Sequence, residues 1–73
     1  MNNELKITKF KLERISRAIK QVDLARQTGI PGVYLSKYES GRHIPSKEDQ
    51  RKIAEALGVS VKKIFPPNEK KYA

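Results

Sequence analysis

The chain reads as an all-α domain of five short helices, and three observations lead there. Apolar residues recur at helical spacing, and glycine or proline closes most of the apolar segments. No segment alternates long enough to make a credible sheet, and no stretch repeats another. At 73 residues there is room for one small domain, near the lower limit at which a core holds unaided. With no cysteine and no cluster of metal ligands, neither a disulfide nor a metal supplies a staple, so helix packing alone must make the core.

Helix 1 opens at Thr8, whose hydroxyl can cap free amides, with Ile7 and Leu12 spaced as a hydrophobic staple around it. Leu12, Ile15 and Ile19 are expected on its buried side, with Phe10 joining from the first turn. Before it, Leu5 and Ile7 alternate as in a short strand, a pattern equally compatible with a loose arm. Helix 2 is expected over 21–28, behind a poor cap at Lys20 but with Asp23 complementing the helix dipole. Val22, Leu24, Ala25 and Thr28 form its inward stripe, and Gly29 stops it.

Helix 3 begins at Pro31, whose fixed φ suits a first turn, and ends near Ser40 because Gly41 follows. Val33, Leu35 and Tyr38 can face inward, while Tyr34, Ser36 and Lys37 fall partly outward. After the loop Arg42, His43, Ile44 and Pro45, Ser46 with Asp49 three residues on repeats the capping logic for helix 4. Ile53, Ala54 and Leu57 are its apolar stripe and Gly58 its end. Ser60 caps a last short helix that Pro66 and Pro67 terminate. Val59, Val61, Ile64 and Phe65 there either close the core or leave part of themselves exposed as a dimer patch. The organisation is therefore an N-terminal extension over 1–7, a folded domain over 8–66, and a tail over 67–73.

Two amphipathic helical patterns around the single turn at Gly29 are the sequence form of a helix-turn-helix. Two such helices cross steeply, leaving the N-terminal end of the second free to enter a DNA major groove. Charge agrees with an anionic partner: the formal net charge is +8. Residues 1–20 carry six basic and two acidic side chains, 21–46 three and two, and 47–73 seven and four. Most of the excess thus lies on the flanks, which suits phosphate clamping outside and discrimination within.

Other classes find little support. No apolar run approaches the roughly 20 residues of a membrane span, and the first residues lack the apolar stretch of a secretory signal, so a cytoplasmic protein is expected. Catalysis is not expected: there is no cysteine nucleophile, no glycine-rich phosphate loop and no carboxylate pair in a plausible cleft. No cofactor, metal or small-molecule effector is evident.

Across Leu12 to Phe65 the chain resembles the phage repressor and Cro type of helix-turn-helix domain, the Xre family, whose fold is the compact five-helix lambda-repressor-like domain. The marks are Gln21 before Leu24 and Ala25, then Gly29 and Ile30, Leu35 and Ser36, Glu39 with Gly41, and Pro45 with Ser46. Ile53, Ala54, Leu57, Val59 and Phe65 complete the series without a gap. The resemblance implies double-stranded DNA as partner, with Gln21 on a phosphate and Gly32, Val33, Tyr34 and Lys37 facing base edges. It places Ser40, Arg42 and His43 on the far backbone, and it pairs Arg14 of helix 1 with Glu39 as a structural salt bridge. It also implies a possible homodimer on an inverted repeat.

Three positions depart from the family pattern. Ala18 stands where a glycine usually ends helix 1, so that turn must strain or change form. Lys47, Gln50 and Arg51 occupy a face of helix 4 where relatives place leucines. Pro31 and Gly32 form the tip of the recognition helix, and glycine has no side chain with which to read a base. Val33, where it is not buried, can meet a thymine methyl, and Tyr34 and Lys37 become the main side-chain readers. A sequence-specific regulator, acting as a repressor by occupancy, follows. The alternatives are a protein-interaction module such as an antitoxin or adaptor, and sequence-independent coating of nucleic acid.

Overall fold

A computed structural model describes residues 7–67. Its elements are α1 (Lys9–Ser16), α2 (Gln21–Thr28), α3 (Gly32–Ser40), α4 (Lys47–Leu57) and α5 (Val61–Ile64), with no strand among the described residues. Leu5, and with it the expected alternation and the rest of the extension up to residue 6, lies outside that range, as does the tail from residue 68 on.

Local signals account for most of the boundaries. Thr8 caps α1 by accepting from the Lys11 amide at 3.1 Å, and Ser46 caps α4 by accepting from the Asp49 amide at 3.1 Å. Gly29, Gly41 and Gly58 end α2, α3 and α4 in left-handed conformation. Pro31 stands one residue outside α3, as its N-cap, rather than inside the first turn. Ser60 takes the N-cap position of α5 without a side-chain capping bond, unlike the expectation.

α2 packs on α3 and α4, α1 packs on α3 and α5, and α4 packs on α5. Phe10, Leu24, Ile30, Leu35, Ile53, Ala54, Leu57 and Ile64 are the buried core. Removing such side chains from water is the main driving force available to this small chain. Val59, Val61 and Phe65 are half-buried against that core, so they serve to close it. Phe65 meets Phe10 with ring centroids 5.5 Å apart at a tilt of 54°.

Three expectations about buried faces are corrected. Leu12 and Ile15 are 56% and 51% exposed, and Ile7 is exposed as well, so the staple and apolar stripe do not form the inner side of α1. That side is Phe10, fully buried, with Glu13 and Arg14 turned partly inward to polar partners on α5 and α3. Ile19 does pack against the core from beyond the helix end. Val22 is exposed rather than inward, because Leu24 already fills the α2 contact. Val33 is exposed for the same reason, Leu35 being the α3 residue that reaches the core.

Tyr38 is half-buried against the core and donates its hydroxyl to Asp49 Oδ2 at 2.8 Å, linking α3 to the first turn of α4. Burial, together with the neighbouring Asp49 carboxylate, pushes its pKa from 10.0 up to about 12. The fold therefore favours the protonated phenol. That contribution is whole below the unfolded pKa near 10.0 and is lost as the pH rises through the folded value of about 12. Urea denaturation of the wild type against Tyr38→Phe should show a loss of stability between pH 10 and pH 12 that is smaller in the variant.

Ala18 sits at φ +58, the one described non-glycine residue with positive φ. The turn between α1 and α2 thus takes the strained alternative, at a cost of about 1–2 kcal/mol for an L residue. Ala18→Gly should raise the unfolding free energy by about 1 kcal/mol in urea denaturation. Unchanged or lower stability would show that the turn carries no such strain.

Candidate nucleic-acid interface

The outward side of the α2–α3 pair is set by what anchors its inner side. Glu39 is buried, and its carboxylate accepts from Arg14 Nε at Oε2 and from Arg14 Nη2 at Oε1, the latter at 3.1 Å. Gln21 Nε2 donates to the same Oε1 at 3.2 Å. A carboxylate has room for several donors, and the guanidinium fork fits both of its oxygens at once. Arg14 Nη1 also donates to the Ile19 carbonyl at 2.7 Å, and Thr8 Oγ1 donates to the Glu39 carbonyl at 2.8 Å. One residue near the end of α3 thereby ties down the cap of α1, its last turn, the linker after it and the start of α2.

With Leu35 and Glu39 turned inward one helical turn apart, the opposite face of α3 is fixed outward. Val33 is 60% exposed and Tyr34 47%. Lys37 is half-buried and lies one turn from Tyr34, its Nζ 6.0 Å from the ring centroid, a weak cation–π approach. A Cβ added at Gly32 would meet nothing within 4 Å, and the residue has no positive φ. Neither packing nor backbone conformation requires glycine there. Its absent side chain leaves open space at the tip of α3.

Helix ends sharpen the picture. α1 and α4 have side-chain caps, whereas α2 and α3 open at Lys20 and Pro31 with none, as does the four-residue α5. First-turn amides without a side-chain oxygen suit an anion. At the other end of α3, the Ser40 hydroxyl donates to the Lys37 carbonyl at 3.1 Å, and the Arg42 and His43 amides turn to that carbonyl at 3.1 and 3.4 Å. The His43 amide is thus occupied. The Arg42 and His43 side chains are exposed.

A helix-turn-helix family model matches residues 10–64. The chain belongs to that family, in its phage repressor and Cro, or Xre, branch. No curated protein matched the chain by sequence. Among solved structures, this chain is similar to the hypothetical transcription factor NHTF from Neisseria, with 25% identity and a TM-score of 0.71. The alignment covers 97% of this chain and 95% of that one. The domain is accordingly a DNA-binding regulator's fold, and the surface just described contains its α2–turn–α3 unit.

The sequence pattern did not signal the Thr8 bond to the Glu39 carbonyl or the second use of Gln21, because both depend on how distant elements meet. Arg14→Ala should lower stability by about 3 kcal/mol, since it leaves the Glu39 carboxylate buried without its main partner. Chemical denaturation measures this, and a loss under about 1 kcal/mol would mean that the pair behaves like a solvated surface bridge.

Proposed function

We propose that the chain is a sequence-selective, double-stranded-DNA-binding transcriptional repressor, with α3 in the major groove and α2 across the phosphate backbone. The observation that carries this reading is the union, on one pair of helices, of two N-termini without side-chain caps and an outward α3 face made of exposed Val33 and Tyr34 with half-buried Lys37 beside them. The NHTF likeness, to a protein described as a hypothetical transcription factor, supports it.

In this reading the α2 N-terminus and Gln21 hold a phosphate. Gln21 gives one amide hydrogen to Glu39 and keeps a second for the DNA. Gly32 admits the close approach of the DNA to the α3 backbone. Val33 meets a thymine methyl, Lys37 donates to guanine O6 and N7, and Tyr34 lies along the sugar-phosphate wall. Ser40, Arg42 and His43 touch the far backbone, with Arg42 as the charge that matters and His43 acting through its side chain. Regulation is by occupancy, in the cytoplasm, through residues 8–66, and without catalysis. A homodimer on an inverted repeat would place half-sites about 34 Å apart. A protein-interaction module on the same fold is the second reading, favoured by the exposed Ile7, Leu12 and Ile15.

Selection of bound duplexes from a random library tests the proposal: a defined consensus supports it, and equal recovery of all sequences with a steep salt slope points to coating. With that consensus in hand, Lys37→Ala should cost about 1–3 kcal/mol and relax preference at one or two base pairs. Arg42→Ala should weaken all sequences alike and reduce the salt slope by about one. Unaltered affinity and preference in Lys37→Ala would remove Lys37 from the reading face.

A further inference from the structure

Beside the C-terminal end of α3, and sharing Arg42 and His43 with the proposed DNA contacts, a groove of about 930 Å³ runs between the α3–α4 loop and α5. Phe10, Ile64 and Phe65 are among its lining residues, with Ile44 and Pro45 from the loop and Val61 and Pro66 from the C-terminal side. Its size is that of a small-molecule site, and predominantly apolar walls with a few polar groups are the usual make-up of one.

The polar groups decide what it would take. Thr8, Tyr38 and Gln50 border the groove, and each is already committed: Thr8 donates to the Glu39 carbonyl, Tyr38 to Asp49, and Gln50 Nε2 to the Pro45 carbonyl at 2.9 Å. Arg42, Lys47 and Lys62 also border it, and none makes an ion pair with the described residues. No aspartate or glutamate is among the lining residues. The lining therefore suits an anion attached to something apolar better than a neutral hydrogen-bonding group.

The chain itself does not supply one. A second copy brings a net charge of +8, and the segments outside the described residues carry Glu4 with Lys6 at one end and Glu69 with Lys70 and Lys71 at the other. A phosphodiester backbone brings charge but no apolar body to cover Phe65 and Ile44. We propose that the groove between the α3–α4 loop and α5 binds a small amphipathic carboxylate, its aliphatic or aromatic body against Ile44, Val61 and Phe65 and its head group among Arg42, Lys47 and Lys62.

The test uses the full chain and decanoate, with decanol as the neutral analogue and decyltrimethylammonium as the cationic one, followed by amide chemical shifts. No DNA is present, so failure here leaves the DNA reading untouched. Decanoate is expected to give saturable shifts at Ile44, Val61, Ile64 and Phe65, with decanol about tenfold weaker and the cation weaker still, since two or three exposed charge contacts are worth about 1.4 kcal/mol together. Lys47→Glu with Lys62→Glu should remove that preference for the anion. Lys20→Glu with Arg26→Glu, an equal charge change outside the groove, should keep it.

Equal affinity for decanoate and decanol would overturn the proposal, as would shifts scattered over the surface. Binding that appears only after deletion of Asn68–Ala73 would identify the chain's own tail as the occupant and overturn it too. Saturation by an acidic peptide with apolar side chains, but not by decanoate, would replace the ligand with a protein partner.

Discussion

Everything on the outer surface of the α2–α3 pair depends on one buried carboxylate. Glu39 is charged and almost without solvent, a position tolerable only because Arg14 and Gln21 donate to it. Those donors come from α1 and from the first residue of α2, and the backbone carbonyl of Glu39 receives Thr8 as well. A hydrophobic contact in its place would hold the helices together but tolerate rotation of α3 about its axis. A bidentate guanidinium with a third donor has a directional demand, and it keeps Leu35 on the core and Val33, Tyr34 and Lys37 on the outside.

That constraint explains how a small chain keeps a distinct surface without a staple. The apolar core runs through α1, α2, α3, α4 and α5, while polar links stitch its edges: Glu39 to α1 and α2, Tyr38 to Asp49 between α3 and α4, and Lys63 to Glu13 at 3.7 Å between α5 and α1. The strained turn at Ala18 is tolerated because Arg14 reaches across it to the Ile19 carbonyl and so holds the linker from both sides.

Much of the fold was legible in the sequence, since helix ends are decided locally. Thr8, Ser46, Gly29, Gly41 and Gly58 each act within a few residues, by capping or by adopting positive φ, and the helices begin and end within a residue of where those signals stand. Which face of a helix is buried was less legible. Leu12 and Ile15 are more apolar than Arg14, yet Arg14 faces α3, because the partner offered there is a carboxylate. Val22 and Val33 went astray for a related reason: in helices of eight or nine residues a single leucine is enough to fill the contact with the core, and other apolar residues are left outside. The family's ordered marks pointed to Gln21 and the α3 face as a binding surface. The commitment of the His43 amide to Lys37 and the openness around Gly32 appear only in three dimensions.

In the proposed DNA-binding reading, Glu39 orients α3 so that its outward face and the uncapped starts of α2 and α3 form one surface. Amide chemical-shift mapping with a duplex recovered by selection tests it most directly. The largest perturbations are expected at Gln21, Val22, Gly32, Val33 and Lys37, with their loss in Glu39→Ala even under conditions where that variant remains folded. Perturbations centred on α4 and α5, with Gln21 and Gly32 unmoved, would contradict it.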